Sequence, residues 1–311
     1  MEQTLNEVQE QLPGTPIDGT SPATTDSIIA PAAAVAPQAC ATCGTTPAAD
    51  PGPATPSAWV YAIGTIATRF PSLSVEKEFA QATSRENTAG LTDRQALHAV
   101  LSRAENRYLA RQLCFVLSIE GLDTYLLRPR DQADLGLLVE AIRPNPSPQD
   151  LDVVIGARGP IAPPQMCNGL SVPIVLFDQI YSFPRDEFIK SIPTPEKMTA
   201  EKFAPAAEEL FDRILQMTDN AGATDEHRAL NYLAVRYQAI YSKAAEYFAQ
   251  NYSLTGVKTQ ASVLSGARRL REVVFSYTNR ATEAVEKSFV RVDMTDEFPF
   301  LVTKLSPYYD R

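Results

Sequence analysis

Apolar and polar residues alternate in several short stretches between residues 59 and 181, and this period of two predicts a sheet. Trp59, Tyr61 and Ile63 alternate with smaller apolar residues, which is typical of a strand covered on both faces. Two β-rich runs on either side of a bend at residues 120–123 indicate a hairpin. Short helices are predicted between the strands. The predicted strands are residues 59–65, 114–119, 124–127, 153–156 and 172–180.

From about residue 196 the apolar residues recur every three to four positions, which indicates helices with one apolar face. Three helices are expected, around residues 210–217, 230–248 and 263–277. The predicted fold class is therefore α+β: a small mixed sheet with a hairpin and flanking helices (58–195), followed by an all-helical C-terminal part (196–311). The two parts could be separate domains or one fold, and the sequence leaves both open.

Residues 1–57 differ in composition from the rest of the chain. They hold nine of the 24 prolines, six of the 37 acidic residues and no Lys or Arg. Low hydrophobicity with scattered proline predicts a disordered acidic leader. The remainder is nearly balanced in charge, which speaks against nucleic acid as a partner. No apolar run approaches the roughly 18 residues of a membrane span, and no secretory signal is recognised, so we expect a cytoplasmic protein.

A stiff loop is predicted at residues 160–169, between the two central strands, because the prolines at 160, 163 and 164 fix the backbone. Binding residues often lie on rigid loops that a sheet supports. Arg158, Met166 and Asn168 are therefore the candidate residues for binding a peptide or protein partner. Arg158, between glycines at a strand end, would suit a carboxylate or a peptide backbone.

The four cysteines suggest a metal site. Cys40 and Cys43 form a C-x-x-C in the leader, whereas Cys114 and Cys167 each adjoin the predicted sheet. Four thiolates complete a tetrahedral zinc site, so a structural zinc is one hypothesis. The alternative is two buried free thiols and an incidental pair in the leader.

Catalytic motifs are scarce in the sequence. The two histidines, His98 and His227, lie on predicted helices outside any nucleophile motif. Glu120 and Asp178 could serve acid–base chemistry, although turns and salt bridges explain such acids more simply. A hydrolase or transferase with an unrecognised site is therefore the alternative to a non-catalytic module.

Three long runs of residues resemble a known family. They are YAIGTIATRFPSLSVEKEF at 61–79, RYLARQLCFVLSIEG at 107–121 and DVVIGARGPIAPPQMCNG at 152–169. These runs are similar to the C-terminal domain of unknown function of the cyanobactin maturation proteins PatA and PatG. The resemblance covers residues 59–181 and extends with less distinctive residues into the helical part.

The resemblance implies a role beside ribosomally made, modified peptides. The subtilisin-like protease that accompanies this domain in the family has no counterpart here, so its activity is not carried over. What the resemblance implies is a non-catalytic accessory module that binds a precursor peptide or a maturation enzyme, with homodimerisation left open. A purely structural, zinc-stabilised interaction domain is a further alternative.

Overall fold

The computed structural model describes residues 57–85, 88, 90–195, 198–217 and 219–309. The chain divides into two units, Met1–Asp50 and Pro51–Arg311. All described residues lie in the second unit. The predicted leader, with Cys40 and Cys43, therefore falls outside the described residues except for Ser57 at its end.

Five strands close into a barrel in the first part of the described chain. The barrel strands are β1 Trp59–Arg69, β2 Cys114–Ile119, β3 Leu122–Pro129, β4 Asp150–Ile161 and β5 Pro173–Pro184. Their order is β1-β2-β3-β5-β4, and β4 pairs back onto β1. The β3–β5 pair is parallel and the other pairs are antiparallel. Each barrel strand therefore has a partner on both sides, and the barrel has no open edge.

The prediction that residues 160–169 form the loop is partly wrong, because β4 continues through Pro160 to Ile161. The pairing of β4 with β5 shifts between Arg158 and Ile161, and such an irregularity accommodates a proline that cannot donate to the ladder. The connection proper spans residues 162–172, with one short 3₁₀ turn at Pro164–Met166.

Eight α-helices lie between the strands of the described chain. They are α1 Leu73–Arg85, α2 Asp93–Leu101, α3 Arg107–Gln112, α4 Leu135–Ala141, α5 Arg185–Ser191, α6 Ala200–Leu215, α7 Asp225–Arg236 and α8 Ala239–Ala249. A capping box of Thr92 and Gln95 begins α2, and the Thr224 hydroxyl caps α7. These caps satisfy backbone N–H groups that have no partner within the helix.

The chain after α8 forms a second sheet. Its strands are β6 Tyr252–Ala261, β7 Leu270–Asn279, β8 Val285–Asp293, β9 Phe300–Leu301 and β10 Ser306–Pro307. They run in the order β10-β8-β7-β6, with β9 also paired to β8.

The prediction of an all-helical C-terminal part is therefore wrong after residue 251, although the mixed α/β class is confirmed. Val263, Leu270, Val274 and Tyr277 fit a helical period, yet Val273, Phe275 and Tyr277 alternate along β7 and pack towards the helices. Val274, on the opposite face, is also buried. Because β7 is covered on both faces, its apolar pattern does not distinguish a strand from a helix.

The helices α6, α7 and α8 share one hydrophobic core with both sheets. On the barrel side this core includes Tyr61 and Val153, and on the second sheet Phe275 and Val290. A second core holds side chains from all five barrel strands together with α1–α4. Residues on either side of position 196 are thus packed into one continuous core.

Arg228 of α7 ties the loop after β8 to this core. Its guanidinium group is fully buried, at 0% exposure, and pairs with the carboxylate of Asp225 at 3.2 Å. It also donates to three backbone carbonyl oxygens, those of Met294, Asp296 and Glu297. One arginine therefore satisfies three carbonyl oxygens of this loop.

Candidate functional site

A disulfide fixes the proline-rich connection between β4 and β5. Cys114, at the start of β2, is bonded to Cys167 in the connection. Both cysteines are buried in a small cluster with Val116, Leu126 and Ala162. The connection is thus tied across the outside of the barrel, in agreement with the predicted stiffness.

The three predicted partner-binding residues lie near this connection in different surroundings. Asn168 is exposed with a positive φ of 45° and borders an open cleft of about 440 Å³, which Arg69 and Phe70 also line. Met166 is half-buried and packs onto the cluster under the connection. Arg158 is exposed on β4, and its side chain forms no ion pair or hydrogen bond with another described residue. Their role in binding stays a prediction.

The four-cysteine zinc site also stays a prediction. Cys114 and Cys167 are brought together, but as a disulfide, whose sulfurs are not thiolate ligands. Cys40 and Cys43 lie outside the described residues. Within the described ranges no three His, Cys, Asp or Glu side chains are grouped to hold a metal ion. A zinc ion on all four cysteines would require the reduced protein.

The histidines lie apart from any catalytic arrangement in the described residues. The Ser102 hydroxyl is 3.5 Å from the ring nitrogens of His98, but it donates to the His98 carbonyl oxygen at 2.7 Å. This is a hydroxyl at a helix end and not an activated nucleophile. His227 is half-buried on α7, and burial lowers its pKa.

Of the acids predicted as alternatives, Glu120 lies exposed in the β2–β3 turn, whereas Asp178 belongs to a charged group. The side chain of Arg130 reaches Asp178 at 2.8 Å and Glu297 at 3.3 Å. Burial raises the pKa of Glu297 to about 7, and the hydrogen bond with Asp178 and the charge of Asp178 add to this effect. The positive charge of Arg130 opposes the shift. Trp59 lies 5.9 Å from the Arg130 guanidinium. The group connects β5 to the loop after β8.

The second sheet, which the sequence pattern did not predict, has a free edge at β6. β6 pairs with β7 on one side, and among the described strands no other pairs with it. A bulge between Leu254 and Gly256, and Arg213 donating to the Leu254 carbonyl oxygen at 3.2 Å, protect the beginning of this edge. Within the described part of the chain, no side chain bonds to the outward backbone groups of residues 256–261 in this way. The next residues, Val263 and Leu264, are apolar and 81% and 63% exposed.

The direction of the backbone groups on β6 follows from its pairing. The N–H of Ser262, just after the strand, donates to the Leu270 carbonyl oxygen at 3.0 Å. Ladder bonds alternate in an antiparallel pair, so the N–H of Gln260 also faces β7 and that of Thr259 faces the open edge. The far half of β6 therefore offers unpaired donors and acceptors to another extended chain.

A cleft of about 460 Å³ opens on the outer face of the second sheet, at the end of β6. Its floor carries an ion pair between the partly exposed Arg291 and the buried Glu272, in which Arg291 Nε donates to Glu272 at 2.8 Å. Phe289 and Tyr308, which contact each other edge to face, form an aromatic wall. A cleft of this volume, with apolar walls and a few fixed polar groups, is typical of a ligand site.

These features define a class: a mixed α/β domain with a closed barrel, one long free sheet edge and no recognised catalytic constellation among its described residues. A solved structure described as "PatG Domain of Unknown Function" is similar to this chain, with a TM-score of 0.66 and 18% sequence identity. The match covers 81% of this chain and 99% of that chain, and at this identity it shows the fold alone.

The family model described as "PatG C-terminal" matches residues 197–308. The resemblance to the PatG C-terminal domain is therefore confirmed, although the family model matches a later part of the chain than the runs on which the resemblance was recognised. No curated protein matches the chain. None of the described helices is long and apolar enough to cross a membrane, and the cytoplasmic location stays a prediction.

Proposed function

We propose that this domain is a non-catalytic binding module that holds an extended peptide on the free edge of β6. The proposal is supported by the contrast between the two sheets. The barrel is closed, whereas β6 has one unpaired side among the described strands, next to the exposed Val263 and Leu264. An extended peptide that adds to such an edge gains main-chain hydrogen bonds, and neighbouring pockets select its side chains.

The similarity to the PatG domain supports a place for this module in the maturation of cyanobactin-like ribosomal peptides, with a precursor peptide as the occupant. A precursor segment is an extended chain before it is cut or cyclised, so strand addition suits it better than recognition of a folded surface. A maturation enzyme that presents an edge strand is the alternative partner. Arg158, Met166 and Asn168 would then contact the rest of the bound molecule.

A proline on β6 tests the proposal. Thr259→Pro removes the outward N–H without removing a bond to β7, because edge strands tolerate proline where the N–H faces solvent. We expect it to weaken binding of a fluorescein-labelled cyanobactin-type precursor peptide by about tenfold or more, measured by anisotropy. Thr259→Val keeps the N–H and should bind like the unmodified protein.

Peptide variants complete the test. N-methylation at alternate positions of the bound segment should abolish binding, because main-chain donors carry the interaction. Arg158→Ala should change the affinity less than Thr259→Pro does. If the unmodified protein does not bind the peptide, or if Thr259→Pro binds it equally well with an unchanged melting temperature, strand addition at β6 is refuted.

A further inference from the structure

We infer that the cleft beside β6 binds a carboxylate, and specifically the free C-terminal carboxylate of a peptide that ends in an apolar or aromatic residue. This inference rests on the proposed function, since it names the part of the bound peptide that the cleft recognises. The cleft is lined by Gln260, Val263, Glu272, Phe289, Arg291, Pro307, Tyr308 and Tyr309. It therefore adjoins the end of the strand on which the peptide would lie.

Arg291 is held in one orientation at the cleft floor. Its Nε donates to Glu272, and its guanidinium carbon lies 4.8 Å from the ring centre of Phe289. Its terminal nitrogens make no hydrogen bond to another described residue. A guanidinium that is fixed through Nε presents the remaining N–H groups as a planar fork, which matches the two oxygens of a carboxylate.

Glu272 orients this arginine and is itself held by three donors. Its carboxylate is 6% exposed and accepts hydrogen bonds from Ser262 and Gln260 as well as from Arg291. Burial alone would raise the pKa of Glu272, but these hydrogen bonds outweigh it and lower the pKa, so the group is ionised at neutral pH. The donors that remain for a ligand are the terminal N–H groups of Arg291 and the hydroxyl of Tyr308, which itself accepts from Gln260 at 3.3 Å, and they suit an acceptor such as a carboxylate.

The cleft walls favour an apolar or aromatic neighbour of that carboxylate. Phe289 and Tyr308 form one side, and the exposed side chains of Val263 and Tyr309 form the rim. A volume of about 460 Å³ is at the small end of ligand pockets and is large enough for one terminal residue. Charge and shape therefore complement a chain end better than an internal acidic residue, whose backbone would continue past the rim.

The test uses a small probe, so that it does not depend on strand addition. N-acetyl-L-phenylalanine is titrated into the full chain by NMR, alongside its amide and N-acetyl-L-aspartic acid α-amide. We expect the free α-carboxylate to bind and both other probes to bind at least about tenfold more weakly. Equal binding of the amide would overturn the carboxylate site. Equal binding of the aspartate probe would overturn the preference for a chain end.

Matched variants locate the binding. Arg291→Lys keeps the charge but loses the planar fork, so the affinity for N-acetyl-L-phenylalanine should fall about tenfold. The double variant Glu272→Gln with Arg291→Met leaves no unpaired buried charge and should abolish binding. Arg280→Met, at an exposed arginine after β7, is the control. Retained binding in the folded double variant would overturn the assignment.

The two proposals fail in different ways. If the precursor peptide binds β6 equally well with a free or an amidated C-terminus, the cleft assignment is wrong and the proposed function stands. If N-acetyl-L-phenylalanine binds through Arg291 but no extended peptide binds, strand addition is wrong and the carboxylate site stands. If neither probe binds, both are wrong.

Discussion

Replacing Arg228 by methionine should strongly destabilise this domain. The arginine is fully buried, and its ion pair with Asp225 and its bonds to the loop carbonyls satisfy polar groups that are shielded from water. Methionine fills part of the volume but donates nothing. Asp225 keeps weaker contacts with Arg269 and Arg271, at 3.5 and 3.7 Å.

The size of the effect follows from these contacts. Removing one partner of a buried ion pair costs about 3–5 kcal/mol. The remaining arginines near Asp225 reduce this cost, whereas the abandoned carbonyl oxygens add to it at roughly 1 kcal/mol or more each. We therefore expect the free energy of unfolding to fall by about 3–5 kcal/mol, which lowers the melting temperature by roughly 6–20 °C in a domain of this size.

Urea unfolding followed by tryptophan fluorescence measures this loss. Trp59, the single tryptophan, begins β1 and reports on the barrel, while far-UV circular dichroism reports on the whole fold. Arg228→Lys keeps a charge but not the fork and should lose part of the stability. Arg111→Met, at an exposed arginine on α3, should lose less than about 0.5 kcal/mol. A loss below about 1 kcal/mol for Arg228→Met would refute the reasoning.

Three other changes test separate features. The pKa of Glu297 is raised from an ordinary 4.5 to about 7, so the free energy of unfolding should fall as the pH rises through this range. Urea titrations at pH 5, 6 and 7 measure this slope, and Glu297→Gln should flatten it. If the slope is the same in the variant, the raised pKa is contradicted. Replacing Cys114 and Cys167 by alanine, or reducing the disulfide, should cost about 2–4 kcal/mol, and a melting temperature unaffected by reductant would argue against the bond. Gly222→Ala should cost about 2 kcal/mol or more in calorimetry, because Gly222 has a φ of +68° and an added Cβ would overlap the backbone of β1. Gly266→Ala, where a Cβ meets open space, is its control and should be near neutral.

Local sequence pattern predicted the barrel strands well. The alternation after Trp59 and the apolar run at 153–156 lie within β1 and β4, the run at 172–180 begins one residue before β5, and the hairpin prediction matches β2 and β3. These segments combine β-branched residues with clear turns, so local preference and final structure agree. Pro160 was expected to end the strand, but β4 continues through it because the pairing with β5 is irregular at this point.

The closure of the barrel and the second sheet could not be read from the chain in this way. The parallel pairing of β3 with β5 joins segments separated by α4 and β4, and no local signal specifies such a pairing. Val263 and Leu264 were expected in a helical stripe but lie exposed after β6. The free edge is a property of which strands meet, so the candidate site depends on long-range contacts.

The paired cysteines show the same limit. Their positions beside the sheet were evident, but a thiol pair, a metal site and a disulfide all place two sulfurs close together. Similarly, Arg291 and Glu272 are 19 residues apart and meet because β8 and β7 are neighbours. Their sequence positions carried no sign of a shared site.

Because β6 carries the one long free edge among the described strands, two kinds of partner would compete for it. A second copy of this chain that paired β6 with β6 would extend the sheet across a twofold axis, and it would occupy the backbone groups that a peptide needs. Self-association and peptide capture at β6 would then exclude each other. Added peptide would shift such a dimer towards monomers, so occupancy of this edge would couple the assembly state of the module to the supply of its ligand.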